Sequence, residues 1–356
     1  MDSNHYQNNF DFLRFFAASL VILSHSFPMI GLVEPKLISG ATLGYLGISI
    51  FFITSGFLIT KSWNQDKIIK SYSWKRFLRI IPGLIFASII VTAIIGPLVT
   101  TFNLIDYIFN SQTYRFFFFA SFFPAWNVIP FNNLPGVFIN NPLSGQVNGP
   151  LWTLVYEAGM YILVIIFGIV GILYKKIVMI PLIICSFGSL ILLNSYYAPM
   201  ISAFIPGIFS GVVIPGLTFF CFFFIGSLLY LHNKNNAYST KIFIILVTAL
   251  IISSFTVYFL FFTIITLPYI VLFIAHLKIS HVNTFGKYGD FSYGMYIFAW
   301  PVQQLIVVVF PGMNILYFIP CCFLFTFPLA YISWNYIESK ALSRKKNVPR
   351  FHFPLK

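Results

Sequence analysis

The sequence predicts an all-α polytopic membrane protein: a bundle of about ten transmembrane helices with both termini cytoplasmic. Three observations predict it. Of 356 residues, 59% are hydrophobic and only 8% are charged, whereas about a quarter are charged in a soluble domain. Apolar runs of about 20 residues, long enough to cross a bilayer, recur along the chain. Lys and Arg collect in alternate connections between those runs, as expected when basic loops stay on the cytoplasmic side. The formal charge of +13 is therefore read as topology rather than as a footprint for nucleic acid.

The runs lie near 11–30, 43–62, 80–102, 151–173, 177–195, 211–232, 241–257, 259–277, 289–310 and 314–337. The first is expected to be retained, because it carries Arg14 and His25 and lacks the basic lead and small-residue cleavage site of a signal peptide. The seventh and eighth share one apolar stretch, Lys241 to Lys278, too long to cross once and so expected to form a tight hairpin. With these limits, 18 of the 21 basic residues fall on one side. They include Lys61, Lys67, Lys70, Lys75, Arg76 and Arg79 after the second run; Lys36 and Arg115 lie in opposite loops, and Arg14 within the first run.

The longest connection, 103–149, is expected outside the cell. Its aromatic stretch RFFFFASFFPAW, 115–126, suits a membrane interface, and the Pro-, Asn- and Gly-rich run that follows suits turns. Residues 1–340 are expected to form one transmembrane domain, followed by a basic cytoplasmic tail over 341–356. There is no internal repeat. Cys185, Cys221, Cys321 and Cys322 lie in apolar runs without zinc-site spacing and are read as packing residues; no metal site is expected.

Ionisable groups within membrane helices are costly, so each is a candidate for function. Arg14 and His25 are eleven residues apart, which places them within about 20° of one helix face and about 16 Å apart along the axis. Arg14 has a plain alternative as an interfacial anchor paired with Asp11, and His25 one as a neutral interhelical hydrogen-bonding group. Glu157, in GPLWTLVYEAGMYILV, falls about 9 Å into the fourth helix, a depth close to that inferred for His25. A histidine and a carboxylate at matched depth suit a general base held in orientation by its partner. The cluster YSWKRFLRIIPG, 72–83, carries Lys75, Arg76 and Arg79. Positive-inside topology explains it, and so does a grip by Arg76 and Arg79, neighbours on a helix, on the phosphates of a soluble donor. Ser55 and Gly56 sit mid-helix, where small residues also permit close packing. Asp290, Ser292 and Tyr293 open the ninth helix, with Gln303 and Gln304 deeper in it. No G-x-S-x-G elbow, H-E-x-x-H motif or His-x4-Asp pair occurs, which argues against a conventional hydrolase site.

Taken in order, these pieces resemble acyltransferase family 3, a family of integral membrane acyltransferases. DFLRFFAASLVILSH is similar to that family's first helix, LGISIFFITSGFLI to its second and SWKRFLRIIP to its basic lead into the third. GPLWTLVYEAGMYI resembles the Trp and Glu motif of the fourth, and FSYGMYIFAWPV the late Ser-Tyr-Gly motif. The resemblance implies a ten-helix enzyme of the bacterial cytoplasmic (inner) membrane. It would transfer an acyl group, most commonly acetyl from acetyl-CoA, to a hydroxyl of a cell-surface carbohydrate such as lipopolysaccharide O-antigen or exopolysaccharide. Acyl-CoA enters that scheme as donor substrate, with no bound cofactor.

Carried over by position, the resemblance implies catalytic roles for His25, Glu157 and Arg14. Arg76 and Arg79 fall to donor binding, to which Lys75 and Ser55 are assigned with them. Asp11, Trp152, Tyr156, Ser292, Tyr293 and Gln303 are read as acceptor-facing or structural polar positions. Two positions depart from the pattern: Ala299 stands where a His often precedes the late Pro by two, and the Glu-Arg-Pro-like end reads Glu338-Ser339-Lys340. No appended esterase-like domain is expected. The rival reading is an exporter or flippase of a glycan intermediate, whose pathway the same buried polar residues would line.

Overall fold

A computed structural model describes residues 8–122, 133–193, 212–232 and 238–346. Those residues are helical wherever they are regular, with no strand among them. The apolar helices are α1 (Phe10–Met29), α2 (Leu43–Gln65), α3 (Ile69–Ile89), α6 (Trp152–Val170), α7 (Lys176–Leu193), α8 (Ile214–His232), α9 (Thr240–Ser253), α10 (Phe259–His276), α11 (Ser292–Val309) and α12 (Ile315–Ile332). Two short helices, α4 (Leu104–Phe109) and α5 (Ser111–Phe122), lie in the long connection. Widened turns at Ile90–Ile95 and Ser333–Glu338 carry α3 on to Val99 and α12 on to Ser343. Among the described residues, nine helices are long and apolar enough to cross a membrane.

The seventh run differs from its expected length. At 14 residues α9 is about 21 Å long, short of a bilayer core of about 30 Å. Ser253, Ser254 and Thr256 explain the stop, because their hydroxyls donate back to the carbonyls of Leu250, Ile251 and Ser253 and favour turn over helix. The hairpin itself forms, with Phe243 of α9 stacked on Phe273 of α10 at 4.2 Å. The third run also differs, since α3 begins at Ile69 and its basic lead is helix rather than loop. The stretch is amphipathic: Tyr72 and Leu78 are buried while Arg76 and Arg79 are only partly covered, so their stems lie on the bundle with the heads free to seek partners.

Close backbone approach sets the centre of the bundle. A Cβ on Gly56 would collide with the carbonyl of Phe223, and one on Gly226 would lie 2.5 Å from the carbonyl of Ile53, so α2 and α8 meet through paired glycines. The seam is closed by hydrogen bonds from Thr60 to Ser227 at 2.8 Å and from Ser227 to the Gly56 carbonyl at 3.2 Å. Of the residues of α11, 78% are buried, against 17% of those of α7. It is the central post, and α7 lies at the rim.

The long connection is more ordered than turns alone. Phe116 and Ala120 of α5 are buried against the cluster that contains Leu84 and Ala87 of α3, while Tyr114 and Phe118 stay exposed. The rest of the aromatic run, 123–126, lies outside the described residues. Residues 133–148 form turns, as composition predicts, and are strapped to α11. Pro301 has no N–H, which frees the carbonyl four residues earlier, at Ile297. Asn148 Nδ2 donates to that carbonyl at 2.9 Å. Asn141 Nδ2 donates to Gln304 Oε1 at 2.6 Å, and Gln304 Nε2 donates to the carbonyls of Leu143 and Gln146.

Adding one methyl at the glycine seam is expected to push α2 from α8. Gly56→Ala should destabilise the folded protein by about 1–3 kcal/mol, read as a lower thermal midpoint of the detergent-solubilised chain. An unchanged midpoint would mean that the seam is not tight.

Candidate functional site

The buried polar residues fall into three groups along the bundle. The first lies where α1, α3 and α11 begin and the extension of α12 ends. Asp290, 7% exposed, accepts a hydrogen bond from Arg14 Nη2, another from Arg79 Nη2 at 2.6 Å and a third from Ser292 Oγ at 2.5 Å. Arg14 also pairs with Asp11 at 3.1 Å. Tyr293 lies under the Arg79 guanidinium, 5.8 Å from ring centre, and donates its hydroxyl to the Ile80 carbonyl at 2.8 Å. Glu338, 1% exposed, accepts from Ser333 Oγ at 2.7 Å across the widened turn of α12; its other oxygen is buried with no hydrogen-bond partner among the described residues.

The second group lies between α2, α3 and α6. Glu157 Oε1 accepts from Tyr161 Oη, one turn on along α6, and from Ser55 Oγ of α2 at 3.4 Å. Tyr161 leads on to Arg76, whose guanidinium lies 5.9 Å from its ring centre and 5.7 Å from that of Tyr72. Arg76 Nη2 donates to Ser62 Oγ at 3.3 Å, and among the described residues no carboxylate pairs with it. Lys75 is engaged instead by Asp66 at 2.6 Å. The hydrogen bonds from Lys75 and Ser71 hold the Asp66 carboxyl below its usual range.

The third group lies towards the other end of α1. The His25 ring meets Trp300 of α11 edge to face, with centroids 4.9 Å apart, and Trp300 Nε1 donates to the Gln146 carbonyl at 2.8 Å. Among the described residues no hydrogen bond reaches His25. Nearby, Gln303 Nε2 donates to the Ile22 carbonyl at 2.9 Å and to Ser26 Oγ at 3.0 Å, so Gln303 ties α1 to α11. Trp152 and Tyr156 form an aromatic wall with Phe219, and Tyr156 Oη donates to the Val212 carbonyl at 3.1 Å.

The eleven-residue spacing on α1 keeps its promise of a shared face: Arg14 meets Asp290 just before α11, and His25 meets Trp300 ten residues on. The expected pairing of His25 with Glu157 does not form, since among the described residues neither hydrogen bond nor ion pair joins them. Equal nominal depth did not translate into contact. His25 is four residues, about 6 Å, from the last residue of α1, and it faces α11. The Glu157 carboxyl reaches Ser55, twelve residues or about 18 Å down α2 from Leu43. A shared grip by Arg76 and Arg79 is likewise divided, because Arg79 is spent on Asp290. Asp290 itself, at the meeting point of both arginines, was visible only as one acid opening an apolar helix; sequence offered no sign of its partners.

The family model described as an acyltransferase domain, Acyl_transf_3, matches residues 7–335. The chain belongs to acyltransferase family 3. As a member it is a multi-pass membrane acyltransferase, as the ordered motifs implied. The family member is 28% identical over 351 residues to an O-acetyl transferase of Shigella phage Sf6, covering 96% of this chain and 97% of the relative. It is 27% identical over 375 residues to nodulation protein 10 of Rhizobium leguminosarum bv. viciae, covering 97% and 96%. No solved structure gives a significant match.

Replacing Asp290 would remove the buried carboxylate shared by the partly covered Arg14 and Arg79. Asp290→Asn in this acyltransferase is expected to cost about 3–5 kcal/mol, read as loss of monodisperse protein in size-exclusion chromatography or a sharply lower thermal midpoint. A fully stable variant would remove Asp290 from the centre of the fold.

Proposed function

We propose that this family member is an O-acyltransferase of the bacterial cytoplasmic membrane, moving an acyl group, most simply acetyl, from acyl-CoA to a hydroxyl of a cell-surface carbohydrate. The observation that carries the reading is the His25 imidazole, set in the bundle against Trp300 and without a hydrogen-bond partner among the described residues. A ring nitrogen there is open to accept a proton from an acceptor hydroxyl. The donor enters from the end bearing the basic loops, which the positive-inside pattern assigns to the cytoplasm, and its phosphates meet Arg76. Its pantetheine arm then runs inward past Tyr161 and Glu157.

At the far end of that arm the acceptor oxygen attacks the thioester carbonyl while His25 takes its proton. The tetrahedral intermediate collapses to the ester, and the CoA sulfur leaves as thiol after protonation by the imidazolium. Trp300 holds the ring edge on; Glu157, kept away from His25, lines the donor's path and does not act as the partner of the base. Arg14 acts through Asp290 to fix α1 against α11, which sets where His25 stands. The name of the phage relative, O-acetyl transferase, supports acetyl as the group moved.

Loss of a general base typically slows a reaction about 10²–10⁴-fold. His25→Ala should therefore abolish measurable O-acylation while leaving the inserted protein at wild-type level. The check is mass spectrometry of envelope polysaccharide, before and after mild alkali, from cells lacking the gene and complemented with wild type or variant. Retained acylation by a folded His25→Ala protein would dismiss His25 as the base. Unchanged glycan composition with a lower surface amount would replace acyl transfer by export.

A further inference from the structure

Past α12 the chain does not leave the bundle at once. A last turn, Arg344–Lys346, packs back on α3, where Trp74 Nε1 donates to the Arg344 carbonyl at 3.4 Å. We propose that Lys345, carried on this turn, joins Arg76 to form the site for the donor's phosphates, an inference that rests on the acyl-CoA reading above. Several observations lead there.

Of the carboxylates near this corner, Asp66 is engaged by Lys75 and Asp290 by Arg14 and Arg79, while Glu338 accepts from Ser333 and Glu157 from Tyr161 and Ser55. Arg76 and Lys345 have no carboxylate partner among the described residues, and Arg76 Nε is buried with no hydrogen-bond partner there. Lys345 is open to solvent on a turn that packs against α3. Partial desolvation first, and the charges of Arg79, Arg76, Lys75 and Arg14 after it, push the Lys345 ammonium below the ordinary lysine range. Unpaired like charges held together by a folded-back segment favour an anion between them. A fork-shaped guanidinium on α3 and a compact ammonium on the turn packed against the same helix suit phosphate oxygens. Anionic lipid headgroups offer the same phosphate chemistry, so the test separates the two sources.

The full chain, in nanodiscs of phosphatidylcholine alone, would be titrated with CoA as wild type, Lys345→Ala and Lys345→Arg, with thermal midpoints to confirm folding. Lys345→Ala is expected to weaken CoA binding about tenfold, the size of one charge-assisted hydrogen bond, and Lys345→Arg to retain most of it. Saturating CoA should also shield Lys345 from an amine-reactive reagent, read by peptide mass spectrometry. If wild type binds CoA but Lys345→Ala binds as well and no shielding occurs, the role of Lys345 is overturned while the donor reading stands. If wild type does not bind CoA, the donor reading itself falls. Shielding by phosphatidylglycerol nanodiscs without CoA, with CoA affinity unchanged in Lys345→Ala, would assign the lysine to lipid and overturn the proposal.

Discussion

Removing a carboxylate from water costs several kcal/mol unless cations and hydrogen bonds replace the solvent, and Asp290 meets that demand with Arg14, Arg79 and Ser292. The partners come from α1, α3 and α11, so one charge fixes three helices that apolar packing alone would leave free to slide. Lipid offers little to drive helices together; a buried ion group supplies register where hydrophobicity cannot. Through that register α1 holds His25 against Trp300, some 16 Å away along the axis, and the site near one end depends on a charge near the other.

The same constraint explains why two neighbouring arginines differ. Arg79 faces inward and is consumed by Asp290, whereas Arg76, one turn earlier, lies among the Tyr72 and Tyr161 rings with only Ser62 as hydrogen-bond partner among the described residues. Basic residues that look alike in sequence are thus divided by azimuth into one that builds the bundle and one without a carboxylate partner among the described residues.

Much of the fold could be read from the chain because membrane helices obey few rules. Length, hydropathy and the placement of Lys and Arg located the helices, and the shared face of Arg14 and His25 followed from helical periodicity. Gly56 announced close packing and delivered it. What escaped was information about neighbours. Nothing in the positions of His25 and Glu157 tells which neighbour each reaches, so nominally matched depth suggested a contact; in the structure His25 meets Trp300 near the end of α1, while Glu157 reaches Ser55 well along α2. Asp290 could be seen as an acid, not as the meeting point of two arginines. The start of α3 was missed because its basic residues resemble a loop until their stems are seen lying on the bundle, and α9 fell short because three hydroxyls turn its end.

The asparagine that fills the gap left by Pro301 carries a consequence for how such proteins can change. Because Asn148 supplies the partner that the Ile297 carbonyl lacks, the connection outside the bundle and the post at its centre are one mechanical piece. A foreign loop grafted between relatives would have to bring an equivalent amide, or the proline bend would face an empty hydrogen-bond position in an apolar setting. Diversification of the outer surface is thereby tied to the interior, and loop and helix can be expected to have been exchanged together rather than separately.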